Sequence, residues 1–74
     1  MKDDDILSGF SKRVKELRIT KGLTQQELAE LADVEYKYIQ KIEGKKPPSI
    51  GLLKLVKLLK ALGVSFSQFF NFIK

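Results

Sequence analysis

Apolar residues recur along this chain at intervals of three and four. Ile6, Phe10, Val14 and Leu17 make one stripe, and Leu28, Ala29, Leu31 and Ala32 make a second. Val34, Tyr38, Ile39 and Ile42 make a third, followed by the dense set Leu52, Leu53, Leu55, Val56, Leu58, Leu59 and Leu62. The two-residue alternation of a half-buried strand is absent, as are internal repeats and low-complexity tracts. The pattern predicts an all-α fold of five short helices.

Polar punctuation sets the expected boundaries. Asp5 is placed to cap the first helix, with Asp3 and Asp4 suited to its positive N-terminal dipole. Gly22 followed by Leu23 reads as a left-handed C-terminal cap with its hydrophobic contact. Thr24 and Glu27 then form a T-x-x-E capping box that opens the second helix. Asp33 and Val34 mark a break, and the third helix is expected over roughly 35–43. Gly44 to Pro48 form a loop, Ser49 caps the fourth helix and Gly63 ends it. Ser65 and Gln68 repeat the capping box at the head of a phenylalanine-rich terminal helix, 65–74. The expectation is one domain, 1–74, with its core over about 6–64.

Two short helices joined by two residues cannot run back antiparallel, so the second and third should cross steeply, as in a helix-turn-helix. Ala29 is small where the two helices must approach. Asp33 occupies the turn position at which a left-handed backbone is needed; glycine suits it best and aspartate is tolerated.

Composition narrows the chemistry. A chain of 74 residues buries only about 60% of its unfolded surface, enough for one core. It contains no cysteine and no histidine. Disulfides, thiolate or imidazole metal sites and the corresponding nucleophiles and bases are therefore excluded from it. Nothing pairs as acid and base, and no glycine-rich phosphate cradle is present, so neither catalysis, a cofactor nor a small-molecule ligand is expected. The net charge of +5 suits a polyanionic partner, although lysine-rich surfaces also serve solubility. The acidic start is unlike a basic secretion signal, and no apolar run approaches the ~20 residues of a membrane span. A cytoplasmic protein without membrane contact is the expectation.

Three strings in order, RVKELRITKGLTQQELAELADV, YIQKIEGKKPPS and LLKLVKLLKALGVS, cover nearly the whole chain. Together they resemble the lambda Cro and repressor-like (XRE-type) helix-turn-helix family. The resemblance implies that the third helix enters the DNA major groove, presenting Glu35, Tyr36, Lys37, Gln40 and Lys41 to base edges. Lysine donates to guanine, glutamine pairs with adenine and glutamate accepts from cytosine. Tyr36 also fits a bland surface position, and Tyr38 fits a half-packed one. The resemblance places Gln25 at a phosphate-contacting position, where the amides of a helix N-terminus independently favour an anion. Lys45 and Lys46 in the following loop and Arg13 on the first helix are further phosphate candidates. Lys54, Lys57 and Lys60 are expected to be only solvated. Arg18 and Glu43 match a pair that the family joins as a structural salt bridge.

The implied function is sequence-specific binding of double-stranded DNA by a small transcriptional regulator: a repressor, an autoregulator or a restriction-modification controller. An antitoxin or adaptor that mainly binds protein is the competing reading. Four phenylalanines in the last helix exceed what one stripe buries, so Phe69, Phe70, Phe72 and Ile73 are expected to form a homodimer contact. A homodimer would read a palindromic operator with two third helices about 34 Å apart.

Overall fold

A computed structural model describes residues 2–73; Met1 and Lys74, the ends of the expected domain, lie outside them. The helices are α1 (Asp3–Thr20), α2 (Gln25–Ala32), α3 (Tyr36–Ile42), α4 (Leu52–Leu62) and α5 (Phe66–Phe69). No strand occurs among the described residues.

Local chemistry accounts for most of the boundaries. Thr24 Oγ1 accepts from the Glu27 amide at 3.0 Å, and Glu27 Oε1 accepts from the Thr24 amide at 2.9 Å. Ser65 and Gln68 repeat this reciprocal box at the head of α5. Gly22, Asp33 and Gly63 all take left-handed conformations, with φ of 73°, 56° and 71°. At each, the next residue's amide reaches back along the helix: Leu23 to the Arg18 carbonyl, Val34 to Ala29 and Val64 to Leu59. These Schellman closures satisfy carbonyls that a helix end would otherwise orphan.

Three boundaries differ from the sequence expectation. Lys2, not Asp5, is the N-cap residue of α1, and its carbonyl accepts from the Asp5 and Ile6 amides. All three aspartates thereby fall inside the first turn, where they still oppose the dipole. Ser49 does not cap α4; Gly51 stands at the cap in an extended conformation. Ile50, just before that cap, is packed against the core. The terminal helix ends at Phe69 and does not run on through the tail.

One apolar cluster joins the helices: Phe10 and Val14 from α1, Leu28, Ala29 and Ala32 from α2, and Ile39 and Ile42 from α3. Leu58, Leu59 and Leu62 of α4 and Phe69 of α5 complete it. Leu31 is a correction: it is 61% exposed, because at about 100° per residue it falls outside the arc spanned by Leu28, Ala32 and Ala29. Phe69 is another. It is fully buried, with its ring centroid 5.4 Å from that of Phe10, and so is unavailable to a second copy.

The tail closes over α1. A Cβ on Gly9 would stand 2.5 Å from Phe72 Cε2, so the absence of a side chain there makes room for that ring. Phe70 packs between Phe69 and Phe72, at centroid distances of 4.8 and 6.0 Å.

Leu28 and Leu31 share a helix and differ in burial, which separates packing from helix propensity. Leu28→Ala should cost about 2–5 kcal/mol in urea unfolding, and Leu31→Ala within about 0.5 kcal/mol. Equal losses would contradict the assigned helix face.

Candidate nucleic-acid interface

The orientation of α3 rests on a charged contact across the fold. Arg18 Nε donates to Glu43 Oε2 at 2.8 Å and Nη2 donates to Oε1 at 3.0 Å, a bidentate fork. The remaining Arg18 nitrogen, Nη1, donates to the Leu23 carbonyl at 2.7 Å. Gln25 Nε2 adds a bond to Glu43 Oε1 at 3.3 Å. The side chains are 12% and 2% exposed, so each charge depends on the other. The hydrogen bond to Glu43 raises the Arg18 pKa further, against the opposing effect of burial. This network ties α1, the α1–α2 turn, the start of α2 and the end of α3 at one point.

With Ile39 and Ile42 fully buried, the helix turns Tyr36, Lys37, Gln40 and Lys41 to solvent. Glu35 stands at the N-cap and its carboxylate makes no capping bond. Among the described residues, none of these five side chains forms an intramolecular hydrogen bond or ion pair. The predicted reading set is therefore collected on one uncommitted face. Such a face, polar and rich in donors, has the width to lie in a major groove about 12 Å across.

The phosphate candidates divide. Lys45 and Lys46 are exposed in the loop after α3, as expected. They share a concavity with Asp4, Asp5 and Ser8, and Ser11 Oγ ties α1 to this loop through the Gly44 carbonyl at 3.4 Å. Gln25 is half-buried and its amide is engaged by Glu43, so its first role is to join α2 to the ion pair. Arg13 is a correction. Its Nη2 donates to the Gln68 carbonyl at 2.8 Å, its Nε donates to the Phe69 carbonyl at 3.3 Å, and its Nη1 pairs with Glu16. The guanidinium caps the C-terminal carbonyls of α5, where cations are favoured, and is not directed at a ligand.

Two lysines that the sequence assigns to solvent lie beside the face. Lys54 Nζ sits 4.1 Å from the centroid of the Tyr38 ring, a cation–π contact. Lys57 Nζ stands 3.5 Å from Asp33 Oδ2. Burial raises the pKa of the Tyr38 hydroxyl. The three-residue spacing of the lysines on α4 is visible in the sequence; their distance to α3 is not.

The network predicts a marked asymmetry between its members. Arg18→Ala or Glu43→Ala should cost about 3–5 kcal/mol, largely by stranding the buried partner. Gln25→Ala, which removes one long bond, should cost about 1 kcal/mol. Urea midpoints at constant m-value report both, and an Arg18→Ala protein of unchanged stability would refute the dependence.

Comparison with known proteins agrees with this geometry. The helix-turn-helix family profile matches residues 14–69. The HTH-type transcriptional regulator PuuR of Escherichia coli (strain K12) is 40% identical over 72 residues, covering 96% of this chain and 37% of that protein. An uncharacterized HTH-type transcriptional regulator of Rickettsia conorii is 38% identical over 64 residues, 86% of this chain and 50% of its own. The chain thus spans half or less of these two relatives. Among solved structures, the restriction-modification controller protein C.AhdI from Aeromonas hydrophila superposes with a TM-score of 0.79 at 33% identity, covering 86% of this chain and 96% of that one. The controller C.Esp1396I bound to a 19 base pair DNA duplex gives 0.81 at 33% identity, covering 90% and 88%. With its capped turn, α2 packed on α3 and these likenesses, the chain belongs to the Cro- and repressor-like (XRE-type) helix-turn-helix family.

Proposed function

We propose that this chain binds double-stranded DNA sequence-specifically, as the DNA-binding part or the whole of a small cytoplasmic transcriptional regulator. The observation that carries this reading is the uncommitted face of α3, held outward by the Arg18–Glu43 fork. Likeness to a controller protein bound to a DNA duplex supports it. Lys37, Gln40 and Lys41 discriminate bases, with Glu35 and Tyr36 at the leading edge, while Lys45 and Lys46 engage backbone phosphates. Each phosphate neutralised releases counterions, which makes affinity fall with salt, and each good base contact discriminates by about 1–3 kcal/mol.

The chain acts as a homodimer on a palindromic site. With Phe69 assigned to the core, the exposed apolar side chains that α4 and the C-terminal segment offer a second copy are Leu52, Leu53, Phe66 and Ile73, at 71%, 69%, 49% and 42% exposed; Ile19 on α1 and Leu31 on α2 are exposed as well. Phe70 and Phe72 contribute from half-buried positions. Exposure of several large apolar groups on a small domain supports an interface.

Selection from a random duplex library should return a two-fold symmetric consensus with half-sites one helical turn apart. Lys41→Ala should relax the preference at one position of each half-site, whereas Lys45→Gln with Lys46→Gln should weaken all duplexes alike. Recovery of sequences without any consensus would favour a protein-binding role. Leu53→Glu should convert a sedimenting dimer to monomer and weaken binding to the consensus; a wild-type chain that sediments as monomer at high concentration would refute dimerisation.

A further inference from the structure

Lys54 and Lys57 belong to a concavity whose other basic members, Lys37 and Lys41, lie on the reading face of α3. Tyr38 forms part of its wall, and Asp33 and Glu35 are its acidic members. Four ammonium groups therefore meet two carboxylates, one of which already faces Lys57. That pair is weak and displaceable, since the Asp33 side chain is 93% exposed and water screens it. Lys54, seated on the Tyr38 ring, is steered to the edge of α3 while its donors remain free to turn outward.

The position of this concavity decides what it meets. A helix with side chains is about 10–12 Å across and a major groove about 12 Å wide, so a helix that enters the groove fills it. Whatever stands beside that helix faces the groove wall, which is sugar and phosphate. A lysine is a compact point charge suited to phosphate, with no directional match to a base edge required. We propose that the DNA interface extends onto α4, where Lys54 and Lys57 grip a backbone phosphate at the edge of the groove that α3 enters. This rests on the DNA-binding reading above and adds to it a contact from a second helix. Lys60, the next lysine of the same row, lies outside the concavity and is the internal control.

The test is the salt dependence of binding to the duplex selected from the library, with the 74-residue chain and its variants. Lys54→Gln combined with Lys57→Gln should lower the magnitude of the slope of log affinity against log salt by about 0.9, one phosphate's worth. Lys60→Gln should leave the slope at its wild-type value. Lys54→Arg with Lys57→Arg, which keeps both charges, should restore it and show that the loss is not one of folding. The proposal is overturned if the double glutamine variant keeps the wild-type slope, and equally if the double arginine variant loses as much as the glutamine one. If the wild-type chain binds no duplex, the DNA-binding reading itself fails and this extension falls with it; an altered preference with an unchanged slope defeats the extension alone.

Discussion

Arg18 holds Glu43 with two nitrogens and the Leu23 carbonyl with the third, and these bonds fix where α3 ends relative to α1 and α2. A helix of seven residues is too short to be stable or well aimed by its own hydrogen bonds. Its direction must come from outside. Ile39 and Ile42 supply the packing, which holds the inner face but leaves sliding and tilting weakly opposed. The bidentate fork adds a directional constraint at the C-terminal end. Because both charged side chains are nearly buried, departure from this arrangement strands a charge. The remaining polar face of α3 is free for an external ligand because the helix is held entirely from its inner side and its end.

The other end of α3 is governed by backbone geometry. Asp33 turns the chain with φ of 56°, and Val34 closes α2 onto the Ala29 carbonyl. The same aspartate then presents a carboxylate toward Lys57 on α4. One residue thus shapes the turn and sets a charge beside the exposed polar face of α3. A glycine would satisfy the backbone more easily but would leave Lys57 without that neighbour. A similar economy holds at Arg13, whose guanidinium closes α5 against α1 through the Gln68 and Phe69 carbonyls.

Features encoded within a few residues are legible in the amino-acid sequence alone. The Thr24–Glu27 and Ser65–Gln68 boxes, the left-handed Gly22, Asp33 and Gly63, and the Ile39 and Ile42 pair depend on neighbours a turn or two away. The Arg18–Glu43 pair spans 25 positions and is reached through resemblance to the family, not through periodicity. Features that depend on three-dimensional competition mislead a reading of the sequence. Ser49 has the chemistry of a cap, yet α4 starts at Leu52 behind a Gly51 cap, with the intervening Ile50 packed against the core. Leu31 is as apolar as Leu28 but lies outside the arc that α2 buries. Phe69 looks surplus among the phenylalanines because the space beside Phe10 that receives it is built by another helix.

By itself, the sequence determined five helices, most of their caps, the short left-handed turn between α2 and α3 and the identity of the polar groups on the α3 face. These follow from hydrogen-bond closure and helical period, which act over one or two turns. Only the tertiary structure decided which charges those groups keep for a ligand and which the protein uses internally. Arg13 and Gln25 carry the same donors as any phosphate-binding residue, but packing sets them against the α5 carbonyls and Glu43. Lys54 and Lys57 read as solvated on α4, but the docking of that helix brings them to Tyr38 and Asp33. The reason is distance: charge and hydrogen bonding are chosen among whatever groups come within a few ångströms, and for residues far apart in the chain only the fold sets that separation.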